Sequence, residues 1–548
     1  MPTAPHFSHL MRRGVPGVAI DYTCAAASPH ALGTEAARAA VEAGGNALDA
    51  ALAAAVALTV VYPHNTSLGG DLFALVRDPQ GRITSVNASG AAAWATDVAQ
   101  VRLRHAGRMP VTGVDTVTVP GAVGGLAAIH GLGAALPWSE AFAHAIMHAE
   151  RGVPIAPSVG RAIAECQGQI GSDEGMRRQF RPNGRMLATG DLLRNVRLGQ
   201  TMRTIAEHGP GALYGGSLGA LLAAGLQTLG SSLTLQDLAG YQAQVEPPWA
   251  AAYRDSVIWT SPPNSQGFLF LEILSIIDVL PAGLDLLGAD ADLLASIFQL
   301  ASTDRGRLLA DPALSPSSAA QTLTAEYVGA AAARIARRAP SSSDGVTPEG
   351  GQRPGGDTVA VVTADSDGWG VSLIQSLFHS FGSCLLEPAT GLILHNRGSF
   401  FSLEPTSPNV LAPGKRPAHT LMPAMVTRED QLALVMGTMG GKAQPQVLTQ
   451  VLLRVEAGAS GATSVADPRF VVGGLEVGQP ENIVHVEPNL GAVANSLARQ
   501  GFPVSVLAGQ NEAVGQAQLI WRDPDGTLGA ASDPRSDGSA VIAHHRRP

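Results

Sequence analysis

Lysine is nearly absent from this chain: Lys415 and Lys442 are its only two, among 36 lysines and arginines in 548 residues. Arginine carries almost all the positive charge, a bias that reads as the base composition of a GC-rich gene rather than as function. Charge of either sign is sparse at 15%, and the balance is acidic, −9. No basic stripe is available to follow a nucleic-acid backbone or an anionic membrane, so neither partner is expected. Cysteine is equally scarce. Cys24, Cys166 and Cys384 are odd in number and far apart, which argues against a disulfide framework and a cysteine-based metal site. The longest apolar run, Ala47 to Pro63, is alanine-rich, contains Asp49 and falls short of the roughly 20 residues a membrane span requires. It reads as a buried core helix. Residues 1–23 hold a basic pair but no continuous apolar stretch, so no signal peptide is expected and the protein is read as soluble and cytoplasmic. A GxSxG elbow is missing as well. His144 and His148 have the i, i+4 spacing of a zinc pair but lack the HExxH glutamate and a third ligand, so no metal is expected.

What the chain does have is apolar residues, 45% of the total. That suffices for a large core and, on length alone, for roughly two to four domains. Residues 1 to about 335 are helix-rich. "GTEAARAAVEAGGNALDAALAAAVALTVV" predicts two helices hinged at Gly44 and Gly45, with Asn46 placed to cap the second. "SLGGDLFALVRDPQGRITSVNAS" alternates as a hairpin around "DPQG", and "LPWSEAFAHAIMHAERG" predicts an amphipathic helix ending at Gly152. Residues 337–357, "RRAPSSSDGVTPEGGQRPGGD", are polar, rich in Pro and Gly and without a secondary-structure pattern. A loop that long inside a compact domain is functional or disordered. Strand texture follows at once: "TVAVVTA" and "WGVSLIQS" around "DSDG", then "GLILHNRG" and "LALVMGTMGG" in the same style. "QPQVLTQVLLRVEAG" predicts a helix and "GQAQLIWRDPDGTLGAASDPR" a hairpin. Helical patterns on both sides of strand patterns predict stacked sheets inside helical layers.

Thr358 stands where the shapeless loop meets the first of these strands. Cleavage between Asp357 and Thr358 would give Thr358 a free α-amine, whose ordinary pKa near 7.7–8.0 suits it to take the proton from its own Oγ. One residue then supplies nucleophile and base. Before cleavage, the same hydroxyl can attack the Asp357 carbonyl, with Gly355 and Gly356 giving the backbone room to bend. Taken alone, the residues give more weight to the ordinary reading, a β-branched strand opener. Gly440 and Gly441, between a strand and a helix, can point N–H groups at a developing oxyanion near the helix N-terminus. They also fit a plain turn.

Several blocks carry a specific resemblance. "DTVAVVTADSDGWGVSLIQSLFHSFGS", "GLILHNRGSFFSLEP", "APGKRPAHTLMPAMV", "GTMGGKAQPQ" and "DPRF" follow the order and spacing of the small subunit of the γ-glutamyltransferase family. "SPHALGTEAARAAVEAGGNALDAALAAAVALTVVYPHNTSLGGDLFAL" resembles the start of its large subunit, and "VPGAVGGLAAIHGLGA" a later block. The resemblance implies an N-terminal-nucleophile hydrolase with a four-layer αββα fold (α/β), maturing by self-cleavage and needing no cofactor. It implies a large subunit of residues 1–357, ending in the pre-cleavage loop, and a small one of residues 358–548, together one structural unit. A heterodimer of the two cleavage products is expected, with a dimer of such units left open. On this likeness Thr358 matches the nucleophile, Ser376 the hydroxyl that holds it, and Gly440 and Gly441 the oxyanion pair. His419 and Thr420 fall where typical members have two serines that hold the substrate's carboxylate.

Three departures bear on substrate. The position of the family's carboxylate-binding arginine is Ser89, that of an asparagine on the second hairpin strand is Phe378, and that of an ammonium-binding aspartate is Phe400. Losing such contacts costs several kcal/mol of recognition each, on the order expected for buried charge contacts, so a γ-glutamyl head group is not expected to be held well. Phe378 and Phe400 would line an apolar acyl pocket. Arg397 suits a carboxylate at the far end of an acyl chain, or a structural ion pair. His379 and His419 suit either substrate or structure. The implied activity is cleavage of a γ-glutamyl or related acyl amide through an acyl-threonine, ending in hydrolysis or in transfer to another amine, with a small-molecule amide as the substrate. The alternatives are an acylase for cephalosporin side chains or small amides such as oxamate, and an unprocessed binding scaffold.

Overall fold

The computed structural model describes residues 21–315, 318–337, 357–474 and 479–546. Most of the pre-cleavage loop, with Gly355 and Gly356, lies outside the described residues. Thirteen strands form two large sheets: β1 (Asp21–Ser28), β2 (Asp71–Arg77), β3 (Ile83–Ala88), β4 (Gln244–Glu246), β5 (Trp249–Tyr253), β6 (Ser256–Thr260), β7 (Asp357–Asp365), β8 (Gly370–Phe378), β9 (Ala424–Arg428), β10 (Gln431–Met439), β11 (Gln516–Arg522), β12 (Leu528–Ser532) and β13 (Ser539–Arg546). One sheet runs β13-β1-β7-β8-β2-β3-β4 and the other β12-β11-β10-β9-β6-β5. Both draw strands from either side of Thr358.

The sheets pack face to face through Leu75, Val362, Ala364, Met425, Val435 and Ile520, all buried. Gly437 is what lets them approach: a Cβ there would lie 2.8 Å from Ile374 Cδ1 and 3.0 Å from Ala360 Cβ. Helices cover both outer faces, which makes the four-layer αββα sandwich of the N-terminal-nucleophile hydrolases. On one side lies α2 (Ala47–Val61), preceded by α1 (Ala31–Glu42). Every residue of α2 is buried, as expected for a helix apolar all round. Asn46 caps it with Asp49 in a capping box. On the other side, α3 (Gly267–Asp278) packs against β5 and β6 and α5 (Gln444–Glu456) against β10 and β11, with α4 (Ala291–Leu308) laid on α3.

The helix ending at Gly152, both hairpins and the strands around "DSDG" form as the sequence predicts. "GLILHNRG" does not continue as a strand. Only Leu392–Ile393 is extended, and Arg397–Phe400 closes a 3₁₀ turn. The reason is electrostatic: Arg397 turns inward to a buried carboxylate, described below. Among the described residues no helix is long and apolar enough to cross a membrane.

Candidate active site

Thr358 is the second residue of β7 and lies directly opposite Ser376 on β8, which in turn lies opposite Asp71 on β2. Thr358, Ser376 and Asp71 therefore form one row across three strands, all fully buried. The Thr358 hydroxyl donates to Ser376 Oγ at 3.1 Å. Ser376 Oγ donates to the Asp357 carbonyl at 2.7 Å and accepts the Phe378 N–H at 2.7 Å. The register slips between Ser376 and Phe378, and Phe378 takes a φ of 84°, a strained backbone conformation rare for an aromatic residue. Asn65, just beyond α2, donates its Nδ2 to the Thr358 carbonyl at 3.3 Å and accepts the Leu377 N–H on its own carbonyl at 2.9 Å. The peptide bond before Thr358 thus has its carbonyl polarised by a hydroxyl that also accepts from the Thr358 side chain. Burial raises the Asp357 carboxyl to about 7, against a hydrogen bond from Ser380 that lowers it.

Asp71 is the feature that sequence reasoning missed. Its Oδ2 receives Arg397 Nε at 3.1 Å and His419 Nε2 at 3.0 Å, and lies 3.2 Å from His395 Nδ1. Burial alone would raise this carboxyl; the surrounding His395 and His419 outweigh it and hold the group well below its ordinary value. Burial, with Arg397 beside it, lowers His419 to about 3, so its imidazole is neutral at pH 7 and gives its proton-bearing Nε2 to Asp71. Burial lowers Arg397 to about 10 against the pull of Asp71, leaving it charged at neutral pH. The one visible signal was an acidic residue after Gly69 and Gly70 at the head of a wholly buried apolar strand.

A closed ring of contacts runs on from Phe378, whose N–H donates to Ser376. The Arg397 guanidinium carbon sits 4.1 Å from the Phe378 ring centroid, and its Nη1 donates to Thr420 Oγ1 at 3.2 Å. Gln266 Nε2 donates to the Thr420 carbonyl at 2.7 Å and the Gly441 carbonyl at 2.8 Å. Lys442, next in sequence, places Nζ 5.6 Å from the Phe400 ring centroid. Phe400 stacks on Phe378 at 5.4 Å, which closes the ring. Gly440 and Gly441 have φ of 138° and 51°, between the end of β10 and the 3₁₀ turn leading into α5. The turn takes the strand-to-helix position foreseen for an oxyanion pair.

The predicted site residues are largely brought together, with one apart. Phe378, Arg397, Phe400, Thr420 and the glycine pair line the ring, and His419 lies behind it on Asp71. His379 packs its ring 4.2 Å from that of Phe378. Ser89 is held off the ring by a buried network, donating to Asn87 Oδ1 at 2.7 Å and accepting Asn264 Nδ2 at 3.1 Å, and the Asn264 carbonyl in turn accepts the His419 N–H at 2.8 Å. Of the two readings open for Arg397, the structure supplies the ion pair, to Asp71. Gln266, Asn65 and Lys442 join the site without having been foreseen.

The αββα sandwich is that of the N-terminal-nucleophile hydrolases, and the buried Thr358 stands at the head of one of its inner strands. Residues 33–543 match the gamma-glutamyltranspeptidase family model, and the chain belongs to that family of hydrolases. It is 35% identical to the oxamate amidohydrolase proenzyme of Klebsiella pneumoniae, over 94% of this chain and 98% of the relative. It is 31% identical to the acylase ACY 1 proenzyme of a Pseudomonas species, over 96% of each. The crystal structure of a cephalosporin acylase from Bacillus halodurans superposes with a TM-score of 0.87 at 32% identity, covering 99% of both chains. These relatives make the chain an enzyme of the amidohydrolase and acylase kind.

Proposed function

We propose that this chain is a precursor that cuts itself between Asp357 and Thr358 and then hydrolyses small amides with Thr358 as nucleophile. One observation carries the reading: Ser376 Oγ joins the Thr358 hydroxyl to the carbonyl of the bond that would be cut. In the first step Thr358 Oγ attacks the Asp357 carbonyl carbon, and Ser376 donates to the oxygen as charge develops on it. The C–N bond breaks, the nitrogen takes the proton and an ester remains. Water hydrolyses the ester, releasing the Asp357 carboxylate and restoring the Thr358 hydroxyl beside a new α-amine. That amine then serves as the base: Thr358 Oγ attacks a substrate amide carbonyl, the Gly440 and Gly441 N–H groups hold the oxyanion, and the amine passes the proton to the leaving nitrogen. A second water resolves the acyl-threonine. Because both sheets draw strands from either side of Thr358, the two chains would stay together as a heterodimer.

The acyl group favoured is compact and not γ-glutamyl. Ser89 is engaged with Asn87 and Asn264, Phe378 and Phe400 face the site with rings, and a close relative is named for oxamate. Denaturing electrophoresis and N-terminal sequencing test the first half: the expected result is a small chain beginning at Thr358. A panel of chromogenic γ-glutamyl, glutaryl and plain acyl amides tests the second. A single full-length band that persists, or a strong preference for γ-glutamyl, would refute the corresponding half.

Ser376→Ala separates the two roles of the hydroxyl. It leaves the buried Phe378 N–H without its acceptor and the Asp357 carbonyl without its donor, so self-cleavage should slow by roughly 10²–10³-fold, the usual loss for one oxyanion donor. Ser376→Thr, which keeps the hydroxyl, should process. A time course of the precursor band measures both.

A further inference from the structure

We infer that Gln266 is the positioning residue of the oxyanion turn: its side-chain amide places the Gly440–Gly441 backbone for substrate hydrolysis and takes no part in self-cleavage. This rests on the amidase reading above and adds to it a residue from the larger of the two chains. Two adjacent glycines have no side chain to pack, and their φ values of 138° and 51° are two among the many that glycine can adopt. Local bonds give the turn its shape. The Gly440 carbonyl accepts the Ala443 N–H at 2.8 Å, and the Gly441 carbonyl accepts the Gln444 N–H as the 3₁₀ turn closes. Those bonds lie within the turn, so they do not set where it stands relative to the rest of the site. Side chains from outside do that: Arg305 Nη1 donates to the Lys442 carbonyl at 3.2 Å, and Gln266 Nε2 to the Gly441 carbonyl at 2.8 Å. Of the two, Gln266 also donates to the Thr420 carbonyl, at 2.7 Å, and so ties the turn to the opposite wall.

The amide itself is rigidly mounted. The Gln266 N–H donates to the His419 carbonyl at 2.9 Å, the His419 N–H to the Asn264 carbonyl at 2.8 Å, and Ser265 Oγ to the Leu421 carbonyl at 2.7 Å. Residues 264–266 are thus stitched alongside residues 419–421. The side chain is fully buried, and both of its N–H groups go to carbonyls. Its Oε1 is buried too and has no hydrogen-bond partner among the described residues. An unmatched buried acceptor costs stability; a side chain kept at that cost is kept for what its NH2 group holds. Oxyanion donors act by standing ready at the position where charge develops, and a misplacement of about 1 Å can cost roughly 10²-fold in rate. Self-cleavage does not share this dependence, because the donor to the Asp357 carbonyl is Ser376 Oγ.

The test compares the two reactions in one protein. Gln266→Met keeps the length of the side chain and removes both donors. Its precursor band should disappear on the wild-type time course. The processed enzyme, assayed with the chromogenic acyl amide that wild type turns over best, should lose about 10²-fold in kcat. KM should change little, because the oxyanion forms only on the way to the transition state. Gln266→Asn, an amide drawn back by one methylene, should show the same split between processing and turnover. A general loosening of the fold would slow both reactions together. The inference is overturned by an unchanged kcat in processed Gln266→Met, by a loss that falls on KM, or by processing slowed as much as turnover. It is overturned as well if neither variant folds, since Gln266 is then a residue of the fold. In each of these cases an active wild type leaves the amidase reading standing. Wild type that is processed yet hydrolyses none of the amides defeats both.

Discussion

Thr358→Ala should yield a single full-length chain with amide hydrolysis reduced by at least about 10⁴-fold. The size follows from one side chain serving two reactions. In the proposed mechanism the hydroxyl is the attacking atom on the Asp357 carbonyl and, once an amine stands beside it, on the substrate. Removing a nucleophile of this kind leaves only the rate supplied by binding and the oxyanion donors. Local structure should survive, because the lost contact is one hydrogen bond to Ser376, which keeps the Asp357 carbonyl and the Phe378 N–H as partners. Thr358→Ser is the informative companion: it preserves the hydroxyl and should cut, more slowly, since a β-branched side chain is held in fewer rotamers. Electrophoresis over days at 25 °C and the amide assay report both outcomes. An alanine variant that still splits at the same bond would place the nucleophile elsewhere.

Most of the fold was legible because its elements obey local rules. The all-apolar helix with Asn46 before it, the "DSDG" hairpin and the strand–Gly–Gly–helix unit each have a sequence signature that tertiary contacts reinforce. The Thr358–Ser376 pair was read only from the family resemblance, and the hairpin supplies the physical reason for it. Two strands joined by a tight turn have a fixed register, so the distance from Asp365 back to Thr358 sets which residue of β8 lies opposite. Asp71 was not legible by such rules. Its partners Arg397, His395 and His419 lie more than 300 residues away, and a lone acid beside two glycines says nothing about the charges it will meet. The same non-local pairing misled the reading of "GLILHNRG": strand propensity is weak evidence where an arginine can bury itself on a carboxylate. Gln266 escaped notice because its two acceptors are backbone carbonyls, which sequence does not distinguish.

Asp71→Ala should destabilise the protein by about 3–5 kcal/mol, the usual cost of leaving a buried charge without its partner. Arg397 would keep its charge at full burial with only Thr420 Oγ1 and the Phe378 face for company, and His419 would lose the acceptor of its Nε2 proton. The effect reaches Ser376, the partner of Thr358, because Asp71 is its cross-strand neighbour and Arg397 rests on the ring of Phe378, whose N–H donates to Ser376. Processing of Asp71→Ala should therefore slow as well. The double variant Asp71→Asn with Arg397→Met removes both charges and should recover much of the lost stability, since an apolar replacement for a buried ion pair is often neutral. The pH dependence gives an independent check. The folded pKa of Asp71 lies below its ordinary 3.8, so its contribution to stability is present above that value and is lost as the pH falls through the folded one. His419, lowered from 6.5 to about 3, adds a loss that begins near 6.5, because only the unfolded chain takes up its proton there. Urea midpoints of wild type should thus fall in two stages on acidification, and the double variant should lack the stage below 3.8. If Asp71→Ala unfolds at the same urea concentration as wild type at pH 7, the cluster is not what holds Arg397 in place.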